Sequence, residues 1–94
     1  MHIIEYMRYF NWGYEKNKKL IKERNVSFEI CLVKIENKDI LDILDNSNYP
    51  NQKIFVLEID NYVYLVPFIE NKDEIFLKTI IPSRKFTKKY LKQK

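Results

Sequence analysis

Cysteine, histidine and glycine each occur once among the 94 residues of this chain. A lone cysteine, Cys31, excludes an internal disulfide and any site built from several thiolates, and fits a reducing compartment. With His2 the sole histidine, a zinc site or a Cys/His catalytic pair has too few ligands, so no metal or cofactor is expected. One glycine and three prolines leave no material for flexible linkers or low-complexity segments, and no internal repeat is visible. No apolar run approaches the ~20 residues of a membrane-spanning helix. Residues 1–10 have no basic segment ahead of an apolar stretch, so a soluble cytoplasmic protein is expected.

What is present is a globular balance of 46% hydrophobic and 32% charged residues, which suits one domain over residues 1–94. The net charge of +4 is unevenly spread. Residues 1–25 carry six basic and three acidic groups, residues 26–82 five and ten, and residues 83–94 six and none. Such polarity fits a polyanion, or an acidic partner protein, contacted by the two ends of the chain. Basic termini that merely stay solvated are the plainer alternative.

Two helices are expected first. Residues 13–24 are rich in lysine and glutamate, with Tyr14, Leu20 and Ile21 as a thin apolar stripe and Lys16, Lys19 and Glu23 on the wet side. Asn25 is a suitable stop, because asparagine tolerates the left-handed conformation. Ser27 can cap a second helix whose Phe28, Cys31, Leu32 and Ile35 fall at i, i+3, i+4 and i+7. Residues 39–45 lean toward a strand, and residues 46–51 read as a loop.

From residue 53 the pattern becomes that of a sheet. Residues 53–59 and 62–69 are rich in Ile, Val, Phe and Tyr, and Asp60-Asn61 suits a two-residue hairpin turn. Such a turn pairs Ile59 with Tyr62 and puts Lys53, Phe55, Leu57, Tyr62, Tyr64, Val66 and Phe68 on one face. Ile54, Val56, Val63, Leu65 and Ile69 take the other. The second face is aliphatic, so the helices are expected there, with the aromatic face left accessible. Pro67 implies a bulge, an edge position or an early end to its strand. Residues 74–81 read as one further strand ended by Pro82, with Lys78 expected on the Tyr64 side, away from an apolar interior. Ser83 is a cap for a last helix that Phe86 and Tyr90 would dock. The fold class is therefore α+β: two N-terminal helices on one face of an antiparallel sheet of three to four strands, with a short C-terminal helix.

Several motifs in this order carry a resemblance. Phe10-Asn11-Trp12, Lys16-Asn17, Val26-Ser27-Phe28-Glu29 and Ile80-Ile81-Pro82-Ser83-Arg84-Lys85 followed by Lys88 resemble the signature of BrnT-family toxins, over residues 10–91. The resemblance implies a RelE-like ribonuclease fold. It also implies the toxin half of a two-gene toxin–antitoxin module, neutralised by a cognate antitoxin that is often DNA-binding. The chain departs from that pattern at Glu23-Arg24-Asn25, where the family usually has Lys-His-Gly, and at Gly13, where it usually has Asp. The family's Glu-Arg pair falls on Gln52-Lys53.

Metal-independent cleavage of mRNA requires in-line attack by a 2′-hydroxyl, proton transfer and stabilisation of the phosphate charge. Arg84 is the candidate to hold the scissile phosphate, its planar fork matching the oxygens, with Lys53 adding positive charge and with Lys85 and Lys78 as candidates for phosphate binding or proton transfer. Pairing of Arg84 with an acidic neighbour is the structural alternative. Lys78, Lys88 and Lys89 are candidates for phosphate binding, with Lys92 and Lys94 behind them. Tyr62 and Tyr64 either stack on bases or pack in the core. Tyr90 either donates to a leaving group or anchors its helix. A non-catalytic RNA- or antitoxin-binding module would use the same surface.

Overall fold

Six strands and three helices make up residues 8–91, the part of the chain that the computed structural model describes. They run β1 (Tyr9–Trp12), α1 (Tyr14–Arg24), α2 (Phe28–Glu36), β2 (Asp42–Asp45), β3 (Lys53–Ile59), β4 (Tyr62–Glu70), β5 (Glu74–Leu77), β6 (Ile81–Pro82) and α3 (Arg84–Leu91). The architecture is α+β. His2, Lys92 and Lys94 lie outside the described residues. Among those residues no helix is long and apolar enough to cross a membrane.

The two N-terminal helices end and begin where local chemistry directs. Asn25 takes the left-handed conformation at φ 58°, and its N–H donates to the Ile21 carbonyl. Ser27 Oγ accepts from the Ile30 N–H at 3.2 Å and caps α2. Between the helices sits Asn17, a buried side chain that a thin apolar stripe did not anticipate. Its Oδ1 accepts from the Phe28 N–H at 2.8 Å, one of the donors a helix start leaves unpaired, and its Nδ2 donates to Glu29 Oε1 at 2.9 Å. Of the expected α1 stripe only Leu20 is buried, while Tyr14 and Ile21 are exposed. In α2 three of the four stripe positions meet the core, with Phe28 and Cys31 fully buried and Ile35 packed against it, while Leu32 is half-buried.

The sheet is larger than three or four strands and is mixed. Its order is β1-β5-β4-β3-β2, with β6 also pairing β4. Tyr9–Trp12 adds a strand parallel to β5, whereas the other pairings are antiparallel. Asp60 and Asn61 both have positive φ, 52° and 65°, as a type I′ turn requires, and Ile59 pairs with Tyr62 as expected.

Residues 74–81 form two strands instead of one, and Pro67 supplies the reason. β4 runs straight through Pro67, whose carbonyl accepts the Lys78 N–H at 2.8 Å. In an antiparallel ladder a residue's nitrogen and carbonyl face the same neighbour, so the donor that proline lacks is missing on this side. β5 accordingly stops at Leu77, and β6 rejoins β4 at Ile81, opposite Leu65. Between the Pro67–Lys78 bond and the Leu65–Ile81 pair, Thr79 and Ile80 lie opposite the single residue Val66, so the expected bulge is present and falls on the partner strand, and no edge position is needed. Pro82 is the last residue of β6, so the segment ends there as expected.

Face membership in the hairpin follows the alternation, but the covered face is the opposite of the expected one. α1, α2 and the half-buried Trp12 pack on the side of Phe55, Leu57, Ile59, Val66 and Phe68, together with Ile75 and Leu77 of β5. The larger side chains decide this: aromatic rings bury more area, and Phe55 and Phe68 stack at 4.1 Å between centroids. Lys53 does not obstruct the packing, since it sits exposed at the strand's start. Across the other face lies α3. Thr87 Oγ1 accepts from the buried Val63 N–H at 2.8 Å, and the Tyr90 hydroxyl reaches Asp42 of β2. Val56, paired with Asp42, and Val63 are both fully buried along that crossing.

Burial also sets the reactivity of Cys31. Loss of solvent pushes its thiol up to about 12, against a smaller lowering from its backbone hydrogen bond. The thiolate is the reactive form, so iodoacetamide at pH 8 is expected to spare Cys31 in the native chain and label it fully in 6 M guanidinium, as mass spectrometry would record. Rapid native labelling would contradict this packing.

Candidate nucleic-acid interface

α3 covers only the hairpin end of its face. At the other end the same face opens into a cavity of about 620 Å³. Ile54, Leu65, Pro67 and Ile81 contribute its apolar strand side, and Asn46, Asn48, Tyr49, Gln52, Lys78 and Thr79 its polar side. The cavity lies at the break between β5 and β6, so Pro67 is the local cause of both.

The loop that walls the cavity is braced by its own bonds. Tyr49 N–H donates to the Asn46 carbonyl at 3.2 Å, and Gln52 N–H to the Tyr49 carbonyl at 2.9 Å. Asn46 Oδ1 accepts from the Asn48 N–H at 3.1 Å, and Asn46 Nδ2 donates to Gln52 Oε1 at 3.3 Å. This segment was legible as a loop but not as part of a site. Its signal was four amide side chains, Asn46, Asn48, Asn51 and Gln52, within seven residues.

Lys78 sits on this face, not on the Tyr64 side. The paired residues Glu70 and Ile75 enclose four residues, an even number, so Phe76 falls beside Ile69 and Lys78 beside Pro67. The expected penalty does not arise, because this end of the face is open. Lys78 is exposed, with its Nζ 5.5 Å from the Phe76 ring.

α3 brings the other cations to the same face. Ser83 Oγ accepts from the Phe86 N–H at 3.1 Å as the expected cap. Arg84, Lys85, Lys88 and Lys89 are exposed, and the first turn contains no acidic residue. Arg84 and Lys85 stand at the positive end of the helix dipole, where cations are mildly destabilising, so helix stability does not explain them. The Arg84 side chain has no hydrogen bond or ion pair with any described residue.

The remaining expected site residues are not gathered with these. Ser83 bonds Val63, whereas Lys53 pairs with Phe68, five residues further along β4. At ~3.3 Å per residue that is roughly 17 Å. Lys53 also belongs to the face of Phe55, opposite the cavity. Arg84 and Lys53 therefore do not form one phosphate pocket. Tyr62 and Tyr64 share the Phe55 face and meet edge to face at 5.8 Å, both half-buried with Tyr64 packed against the core, so they lie on the opposite face from the cavity.

Tyr90 has an anchoring contact. Its hydroxyl donates to Asp42 Oδ2 at 2.9 Å. Desolvation, and then the Asp42 carboxylate, raise its pKa above the ordinary value. A raised folded-state pKa means that the contribution is complete below the unfolded value of about 10 and is lost as pH climbs through the folded one. Tyr90→Phe is expected to reduce the loss of stability between pH 9 and 11, measured by urea unfolding at each pH. An unchanged slope would remove Tyr90 as the tether.

Comparison with family models, curated proteins and solved structures returns no match for this chain.

Proposed function

We propose that this chain binds single-stranded RNA along the Val56 face of its sheet, with the cations of α3 on the phosphates and the strand passing over the cavity. One observation carries the proposal: a helix whose charges are all positive and an open, amide-lined cavity occupy the same face. Basic grooves with apolar and hydrogen-bonding platforms suit unpaired strands, whose bases are free to turn inward. The motif order shared with BrnT-type toxins supports the same direction. On it we propose a RelE-like toxin of a toxin–antitoxin module, acting in the cytoplasm on mRNA and held in check by a DNA-binding antitoxin.

Binding without cleavage is the form that the geometry favours. Arg84 and Lys53 do not converge, and the cavity is lined by amides, hydroxyls and one ammonium, with no carboxylate or imidazole among its lining residues. A second form, metal-independent cleavage, draws on Arg84, which is exposed, has no described partner and lies three residues from Ile81 at the cavity.

Fluorescence anisotropy with a labelled 12-nucleotide RNA, over a range of salt, tests the proposal. The expected log–log slope is about −0.7 for each phosphate neutralised. Affinity that ignores salt, or that equals the affinity for duplex, would reject it. A denaturing gel of the same mixtures separates the two forms, with intact strand expected for binding alone.

A further inference from the structure

We infer that the cavity at the β5–β6 break selects a keto nucleobase, guanine or uracil, from the bound strand, an assignment that rests on the RNA-binding proposal above. The hydrogen bonds of the loop determine which polar atoms remain to face a ligand. Asn48 N–H donates to Asn46 Oδ1, so the other end of that amide is Nδ2. Asn46 Nδ2 donates to Gln52, so the atom it meets is Oε1. Gln52 Nε2 is left as a pair of N–H donors at the cavity. Lys78, at the start of the strand break, also lines the cavity, and its Nζ donates and cannot accept.

Among the polar groups of the cavity, which also include the Asn48 amide and the Tyr49 and Thr79 hydroxyls that can accept, Gln52 Nε2 and Lys78 Nζ can only donate, and they discriminate by rejecting donors. Guanine presents the adjacent acceptors O6 and N7, and uracil presents O4. Adenine and cytosine carry an exocyclic amino group at the equivalent edge, which would face Gln52 Nε2 or the Lys78 ammonium donor to donor. Ile54, Leu65 and Pro67 give the flat of the ring an apolar surface, and the exposed Tyr49 is placed to cover its other side. The volume of about 620 Å³ falls within the ~300–1,000 Å³ of small-molecule sites and admits either ring size.

The test uses four RNA nonamers of the form A4-X-A4, with X being A, C, G or U, titrated against the whole chain by anisotropy. The G and U nonamers are expected to bind about tenfold more tightly than the A and C nonamers. Their order tells which keto base is preferred. Gln52→Leu and Lys78→Met should each bring the ratio close to one, while Lys53→Gln, on the opposite face, should preserve it. Thermal melts of every variant confirm folding. Equal, salt-dependent binding of all four nonamers overturns base selection and leaves the RNA proposal standing. A tenfold preference that survives both Gln52→Leu and Lys78→Met overturns the placement in this cavity. Absence of salt-dependent binding to any nonamer rejects the RNA proposal itself.

Discussion

Replacing Arg84, Lys85 and Lys88 together by glutamine is expected to weaken binding of single-stranded RNA by about 100-fold at low salt, since each cation held against a phosphate contributes about 1 kcal/mol. The salt slope is expected to become shallower by about 2, because each of the three phosphates no longer neutralised carries ~0.7. The two readouts together exclude a trivial cause, because a variant that is merely less well folded loses active fraction without changing its slope. The variant should remain folded. α3 is docked by Thr87 on Val63 and Tyr90 on Asp42, and its cap is Ser83, none of which is altered. Removing two cations from the positive end of the helix relieves a small repulsion. An unaltered slope would show that the helix does not touch the RNA backbone.

Phe28→Ala is expected to cost about 3–5 kcal/mol of folding stability, a large part of the roughly 5–15 kcal/mol of a typical domain. Phe28 is fully buried at the first turn of α2, and its ring stacks on Trp12 of β1 at 5.6 Å between centroids and 23° between planes. Its N–H is held by Asn17 of α1. The side chain therefore joins a strand and two helices, and alanine would leave a void that their rigid backbones cannot close. Urea unfolding followed through Trp12 fluorescence measures the loss, with an unchanged m-value showing that the same surface unfolds. A cost under about 1.5 kcal/mol would mean that β1 and α2 are held mainly by other side chains.

The candidate site was less legible than the fold around it. Arg84, Lys85, Lys88 and Lys89 were visible as a run of cations behind a serine cap, and they are exposed on α3. Lys78 was visible too, but its face depended on the parity of a loop. The place of Lys53, and whether Tyr62 and Tyr64 stack on a ligand or pack in the core, depends on which face the helices cover, and that is not decided locally. The cavity is not legible in any one segment, since its residues come from a loop, three strands and a strand break.

By itself the sequence determined the elements that local bonds can close. Asn25 stops one helix, Ser27 and Ser83 start two others, and Asp60-Asn61 turns the hairpin in register, because each acts through atoms within a few residues of itself. Tertiary structure alone decided which face of the sheet the helices cover, that Tyr9–Trp12 joins it, and that β5 breaks at Lys78. Those outcomes depend on areas buried and ladders paired between residues up to 65 positions apart, a balance that no short window of sequence contains.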